Sequence, residues 1–267
     1  MEIINKTENP NGKIKAAVFD FDGTVSTFRC GWEKVMGPMM LEFMLGGASP
    51  GSEPALRDEV RRYIDESTGI QTVYQMEWLS DRVFELTGVR RDKWEYKEEY
   101  NRRLMSSVSL KKRAVENGDE PAENYLIAGS VDFLKALRDR GVGLYLASGT
   151  DHADVLREAE LLGVADLFRT IAGAPEHRAD CSKESVLKML FEENGFSGGE
   201  LLVVGDGKVE IALGKRYGGF SLGAATNELS RRGVDPVKRE RLLKAGADAI
   251  TGDFTDAASL FGWLDGV

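Results

Sequence analysis

The feature that most constrains the fold is Ala16-Ala17-Val18-Phe19, an unbroken apolar run in the strand-like segment 14–19 that leads straight into Asp20-Phe21-Asp22-Gly23-Thr24. A short continuous apolar run fits a strand buried on both faces, as in a parallel sheet covered by helices on each side. Two carboxylates at the exit of such a strand are costly in a core unless their charge is used.

Beyond Thr24 the pattern turns helical. Helices are predicted over 31–45, which is rich in Met36, Met39, Met40 and Met44, and over Glu53–Glu66, Thr72–Thr87 and 91–113. Ala48-Ser49-Pro50-Gly51-Ser52 reads as a break between the first two. From residue 129 helix and strand alternate. Ser130 is expected to cap a helix that Gly141 ends, followed by strand 142–147, helix 151–162, strand 168–172 and helix Ser182–Asn194. Strand 201–204, helix 209–217, strand Phe220–Ala224, helix 237–244 and strand 247–250 complete the series. Such alternation implies an α/β fold, a doubly wound and mainly parallel sheet, with an all-helical insert as a cap. The expected division is a core of residues 13–28 and 126–267 and a cap of residues 29–125.

Ligands of open parallel sheets bind beyond the carboxyl ends of the strands. Three predicted strands end in polar residues: Asp20 and Asp22, Ser148-Gly149-Thr150, and Gly205-Asp206-Gly207. Were those strands neighbours, three carboxylates would converge and repel one another. A hard divalent cation relieves that repulsion, and Mg2+, which takes one or two carboxylates plus water and phosphate oxygens, suits the set best. Asp20 is then a candidate nucleophile that forms an aspartyl-phosphate. Asp22 is a candidate acid and base, given a raised pKa. Gly23 permits a sharp exit from the strand, and Thr24 is expected to brace it by local hydrogen bonding.

These residues form four ordered motifs. Asp20-x-Asp22-Gly23-Thr24, Ser148 after Leu144-Tyr145-Leu146-Ala147, Lys183 at the opening of a helix, and Gly205-Asp206 with Glu210 together resemble the haloacid dehalogenase superfamily. The likeness is to its phosphatase branch with a helical cap after the first strand, and it covers essentially everything after residue 13. It implies a Rossmann-like core, nucleophile Asp20 and acid/base Asp22. It further implies phosphate contacts from Ser148 and Lys183, with Thr24 and Gly149 beside them. Mg2+ would be held by Asp20, the backbone carbonyl of Asp22 and Asp206, with Glu210 completing the acidic set through water or a hydrogen bond. The family often has aspartate at that last position.

Other chemistries fit less well. Cys30 and Cys181 are too few and too far apart for a thiolate metal site or a disulfide framework, and both read as structural. His152 and His177 are the only histidines; Ser148 lies near His152, but no Gly-x-Ser-x-Gly elbow surrounds it. Lys188 and Lys208 are weaker rivals to Lys183. A net charge of −9 argues against nucleic acid as a partner. The start lacks the pattern of a signal peptide and no run is long enough to span a bilayer, so a cytoplasmic protein without membrane contact is expected. Trp32, Phe43, Trp78 and Trp94 read as the cap's own core. Arg29, Trp32 and Lys34, next to the catalytic loop, are the expected substrate contacts.

The leading expectation is hydrolysis of a small phosphorylated metabolite, such as a sugar phosphate or a phosphoglycolate-like acid. A phosphomutase, or a phosphometabolite sensor without turnover, remains open. Oligomeric state is not legible in these residues.

Overall fold

The computed structural model describes residues 1–46, 53–175 and 182–267. The break at Ala48-Ser49-Pro50-Gly51-Ser52, His177 and Cys181 fall outside the described residues. Among the described residues, one sheet holds strands β1 (Glu2–Ile3), β2 (Ala16–Phe19), β3 (Gly143–Asp151), β4 (Thr170–Ala174), β5 (Leu201–Gly205), β6 (Phe220–Ala224) and β7 (Ala249–Thr251). Their spatial order is β1-β7-β6-β5-β2-β3-β4. All pairings are parallel except β1 with β7. The apolar run of β2 is buried throughout because it lies at the centre, between β3 and β5.

Helices α5 (Ser130–Asp139), α6 (His152–Leu161), α7 (Ser182–Asn194), α8 (Lys208–Arg216), α9 (Pro236–Ala245) and α10 (Ala257–Asp265) accompany this sheet. Residues alternating along β2 face opposite sides. Ala17 and Phe19 pack in one cluster with Phe133, Leu144, Leu202 and Trp263. Ala16 and Val18 pack in another with Tyr145, Leu187, Leu190 and Val203. Apolar layers on both faces are what makes the sheet doubly wound.

Between β2 and β3 lie α1 (Glu33–Leu45), α2 (Glu53–Glu66), α3 (Thr72–Thr87) and α4 (Lys93–Glu116). They enclose a separate cluster in which Met36, Met39, Met40, Met44 and Met76 are fully buried. Trp32, Phe43 and Trp78 pack against it partly buried. Trp94 instead carries Lys97 over its ring at 5.3 Å. The chain is thus an α/β fold with an inserted all-helical cap. No helix among the described residues is long and apolar enough to cross a membrane.

Local details differ from expectation for physical reasons. Ser130 is the first residue of α5 rather than its cap, and its buried hydroxyl has no partner. Gly129 holds the cap position at φ +76, where an added Cβ would lie 2.5 Å from the Phe254 carbonyl carbon. Strand β3 continues past Ala147 to Asp151, with an irregularity against β4 in between. Strand β1 and α10 went unforeseen. The former is two residues long; the latter is capped by Asp256, which accepts from Ser259 N, and buries Leu260, Trp263 and Leu264.

Candidate active site

The strand order brings three polar exits together. Phe19 is in register with Leu146 of β3 and Val204 of β5, and the Asp20 backbone N–H donates to Val204 O at 2.9 Å. Asp20 and Asp206 therefore leave the sheet side by side, next to Ser148, which the extended β3 still carries. Three main-chain bonds to Phe21 O, from Thr24 N, Val25 N and Ser26 N, close the turn that carries Asp22. Gly23, at φ +76, supplies a left-handed conformation, and an added Cβ would sit 2.4 Å from Asp206 Oδ2.

Lys183, near the start of α7, reaches this corner. Its Nζ lies 3.0 Å from Asp20 Oδ1 and 2.9 Å from Glu210 Oε2, and it donates to Gly69 O at 3.3 Å. Glu210 Oε1 also accepts from Gly207 N at 2.6 Å. Asp20, Lys183 and Glu210 are all buried. Burial raises the Asp20 carboxyl well above its ordinary range; Lys183 opposes this, while Glu210, Asp206 and Asp22 reinforce it. Burial also weakens the charge on Lys183, but the two carboxylates more than compensate and its pKa lies above the usual lysine value.

Asp22 occupies a different environment. Thr150 Oγ1 donates to its Oδ2 at 2.8 Å, and its Oδ1 is buried without a partner. Burial pushes its pKa to about 7, opposed by nearby Arg29 and by the Thr150 bond and reinforced by Glu158.

Asp206 is the opposite case. Burial disfavours its charge, but Lys238 and Arg241 outweigh that and hold its pKa below the ordinary value. Lys238 Nζ lies 2.7 Å from Asp206 Oδ2 and 2.5 Å from Glu228 Oε1. Arg241 Nη2 donates to the backbone carbonyl of Asp206 at 3.2 Å.

A cleft enclosing about 90 Å³ opens here. Its walls include Asp20, Asp22, Ser148, Gly149, Lys183 and Asp206 from the sheet side and Trp32, Ile70, Gln75 and Tyr100 from the helical insert. The loop after α2 packs closely on the core: an added Cβ on Gly149 would lie 3.0 Å from Ile70 O, and one on Gly69 2.9 Å from Glu210 Oε2. Lys97 of α4 pairs with Asp151 at the end of β3, which also accepts from Asn101 Nδ2 at 3.2 Å.

Some expected residues are placed otherwise. Thr24 is fully buried, its hydroxyl has no partner, and it does not line the cleft. The local bracing is done by main-chain bonds, Thr24 N to Phe21 O at 3.3 Å among them, so the side-chain brace is not formed. Lys34 is exposed on the first turn of α1 and does not line the cleft. It lies two residues beyond cleft-lining Trp32, about 200° round the helix axis and so on the opposite face. Arg29 does line the cleft, but its guanidinium is committed: Nη2 donates to Glu158 Oε1 at 2.8 Å and Asp154 Oδ2 at 3.0 Å, and Nε to Glu158 Oε2 at 3.3 Å. It acts on Asp22 through its charge. Ser148 Oγ accepts from Thr150 N at 3.0 Å instead of capping α6. His152 Nδ1 accepts from Gly173 N at 3.3 Å. Burial raises the Cys30 thiol to about 11, which suits an inert residue.

One carboxylate oxygen from each of Asp20, Asp206 and Glu210 lies within 4.8 Å of the others. An all-oxygen, acidic, buried donor set fits a hard divalent cation such as Mg2+. No motif or periodicity marks Lys238, Glu228, Arg241 or Glu158, and Thr150 is marked only as part of the polar strand end Ser148-Gly149-Thr150.

Residues 14–218 match the family model of the haloacid dehalogenase-like hydrolases, and the chain belongs to that family. No curated protein matches the sequence. Among solved structures, a β-phosphoglucomutase from Clostridium difficile is 16% identical with TM-score 0.62, over 95% of this chain and 98% of that one. A predicted phosphoglycolate phosphatase from Haemophilus somnus 129pt is 16% identical with TM-score 0.60, over 93% and 98%. CbbY from Rhodobacter sphaeroides, in complex with phosphate, is 16% identical with TM-score 0.58, over 94% and 99%. At these identities the likeness is one of fold.

Proposed function

We propose that this chain is a Mg2+-dependent phosphatase that hydrolyses a small-metabolite phosphate monoester through an aspartyl-phosphate on Asp20. The observation that carries this reading is the contrast between two carboxylates on one turn. Asp20 is ion-paired to Lys183 at 3.0 Å, whereas Asp22 titrates near 7 beside an unpartnered oxygen. Burial raises both carboxyls, but Asp20 alone of the two touches Lys183 and belongs to the acidic cluster that fits a divalent cation, and both cations favour its charged form as nucleophile; Asp22, outside that cluster, is the proton carrier.

In the first step an Asp20 oxygen attacks phosphorus, the bond to the leaving oxygen breaks, and protonated Asp22 gives that oxygen its proton. In the second, Asp22 takes a proton from water as the water oxygen attacks phosphorus. Asp20 is released as carboxylate and inorganic phosphate departs. Lys183 and Ser148 are assigned to the phosphoryl oxygens, beside the Gly149 backbone. Mg2+, held by Asp20, the Asp22 carbonyl and Asp206, would neutralise charge on those oxygens when bound. Glu210 keeps Lys183 in place. Residues 13–28 and 126–267 are assigned as the catalytic core and 29–125 as the cap, which would exclude water and select the leaving group.

A phosphate-release panel with Mg2+, covering sugar phosphates and phosphoglycolate, tests this on wild type and Asp20→Asn. Release by wild type, with a phosphorylated Asp20 peptide trapped by acid quench, supports it. Metabolite binding without turnover would point instead to a sensor. The likeness in fold to a β-phosphoglucomutase makes glucose 1-phosphate to glucose 6-phosphate interconversion the control for a mutase.

A further inference from the structure

We propose that Lys238 is a metal-selectivity residue: it occupies one oxygen of Asp206 and makes that carboxylate a one-oxygen ligand, which favours a small octahedral ion over Ca2+. The inference rests on the reading of Asp20 and Asp206 as metal ligands given above.

Lys238 is aimed by the start of its helix. Pro236 opens α9, and the Asp235 carboxylate accepts from Val237 N and Lys238 N, both at 2.9 Å. The ammonium group reaches Asp206 Oδ2 at 2.7 Å and Glu228 Oε1 at 2.5 Å. All three side chains are at most 12% exposed, so water competes little for these bonds. One turn along the same face, Arg241 holds the backbone carbonyl of Asp206 at 3.2 Å. Gly23 closes the other side: the space where its Cβ would stand is 2.4 Å from Asp206 Oδ2 and 3.0 Å from Lys238 Nζ. Asp206 is thus held at its carboxylate by Lys238 and at its backbone by Arg241, and hemmed in laterally by Gly23.

The neighbouring acids are engaged in the same manner. Lys183 takes Oδ1 of Asp20, and Glu210 spends one oxygen on Lys183 and the other on Gly207 N. Each carboxylate at the site therefore has at least one oxygen committed to a fixed donor. Ca2+ takes six to eight oxygens at longer distances and often reaches that number with two-oxygen carboxylates, whereas Mg2+ takes single oxygens in a near-ideal octahedron. A site with few single-oxygen donors penalises the larger ion. Lys183 also serves the nucleophile, so Lys238, whose hydrogen bonds are to Asp206, Glu228 and its own helix cap, is the residue that isolates the effect.

Removing a cation from an acidic site strengthens binding of any divalent ion, and both ions carry the same charge. The ratio of the two affinities thus cancels simple charge balance and leaves the denticity. Isothermal titration calorimetry of the intact protein with Mg2+ and with Ca2+ reads that ratio without turnover. Wild type is expected to favour Mg2+. Lys238→Met is expected to lose about tenfold in the Mg2+-to-Ca2+ affinity ratio, within the range seen when partners behind a ligand are removed. Lys238→Arg is expected to preserve it. An unchanged ratio in Lys238→Met overturns the proposal. So does wild type that binds Ca2+ as tightly as Mg2+, a result that needs no folded variant. Failure of wild type to bind either ion would instead reject the metal-ligand reading on which the inference stands.

Discussion

Thr150 Oγ1 donates a hydrogen bond to Asp22 Oδ2 at 2.8 Å while Oδ1 of the same carboxylate, though buried, accepts none. Burial of that carboxylate pushes its pKa to about 7, with Arg29 and the Thr150 bond opposing the rise. As the general acid it must be protonated, so kcat/KM for a poor leaving group should fall as pH rises through about 7. The Thr150 bond favours the charged form. Thr150→Val should therefore move this limb to higher pH, and a pH–rate profile of the two proteins checks the direction. Asp22→Asn should lose about 10²–10⁴ in kcat on an alkyl phosphate. The loss should be smaller on 4-nitrophenyl phosphate, whose leaving group needs little protonation.

The same raised pKa bears on stability. With a folded pKa near 7 against an unfolded value near 3.8, the native state binds the proton more tightly. The contribution is fully present below the unfolded value and is lost as pH rises through the folded one. At pH 8 Asp22→Asn should accordingly unfold at higher denaturant than wild type, by roughly 1–3 kcal/mol. The gain should vanish near pH 4. Urea titrations at both pH values test this.

Gly23 is a tight point of the site. Its φ of +76 and the 2.4 Å approach to Asp206 Oδ2 mean that a methyl group strains the turn and displaces a carboxylate at once. Gly23→Ala should cost at least about 1 kcal/mol of stability, as expected where alanine is forced to positive φ. Activity should fall further than that loss explains, seen as a fall in kcat at temperatures where the variant is fully folded.

How much of this is legible in the sequence depends on distance along the chain. The convergence of Asp20, Ser148 and Asp206 is legible because each lies at the end of an apolar strand, and alternating elements imply that those strands pair in parallel. Lys183 is legible only by its order among the motifs. Lys238 is not: it meets Asp206 because α9 packs against the sheet end, and no period or spacing encodes that contact. Arg29 can be picked out beside the catalytic loop, but its commitment to Glu158, 129 positions away, cannot. Thr24 and Lys34 lie outside the cleft lining because proximity in sequence does not set side-chain direction, which the turn and the helix rotation decide.

Lys183 joins two buried carboxylates, and its removal tests structure and chemistry together. Lys183→Met leaves Asp20 and Glu210 without their shared cation, and breaking such a buried pair costs about 3–5 kcal/mol. Protonation of one acid should limit the loss, so the variant should be least destabilised at low pH. Glu210→Gln separates the two roles: Lys183 keeps Asp20, and the Gly207 N–H keeps an oxygen acceptor. That variant should retain more stability than Lys183→Met. Urea denaturation of both variants, with phosphate release measured on the same samples, distinguishes a loss of folding from a loss of turnover.

The Lys97–Asp151 pair spans from α4 to the end of β3 and is supported by Asn101 on the same acid. Its side chains are 11% and 23% exposed, so solvent screens the pair only in part. Because it joins the helical insert to the strand that carries Ser148, it should hold the cleft closed rather than hold the fold together. Lys97→Met should therefore leave thermal stability within about 1 kcal/mol of wild type. KM should rise with little change in kcat if closure contributes binding shared by substrate and transition state. Added salt should narrow the difference by weakening the pair in wild type. A fall in kcat with KM unchanged would place Lys97 in the chemical step instead, and steady-state kinetics at two ionic strengths separates the two outcomes.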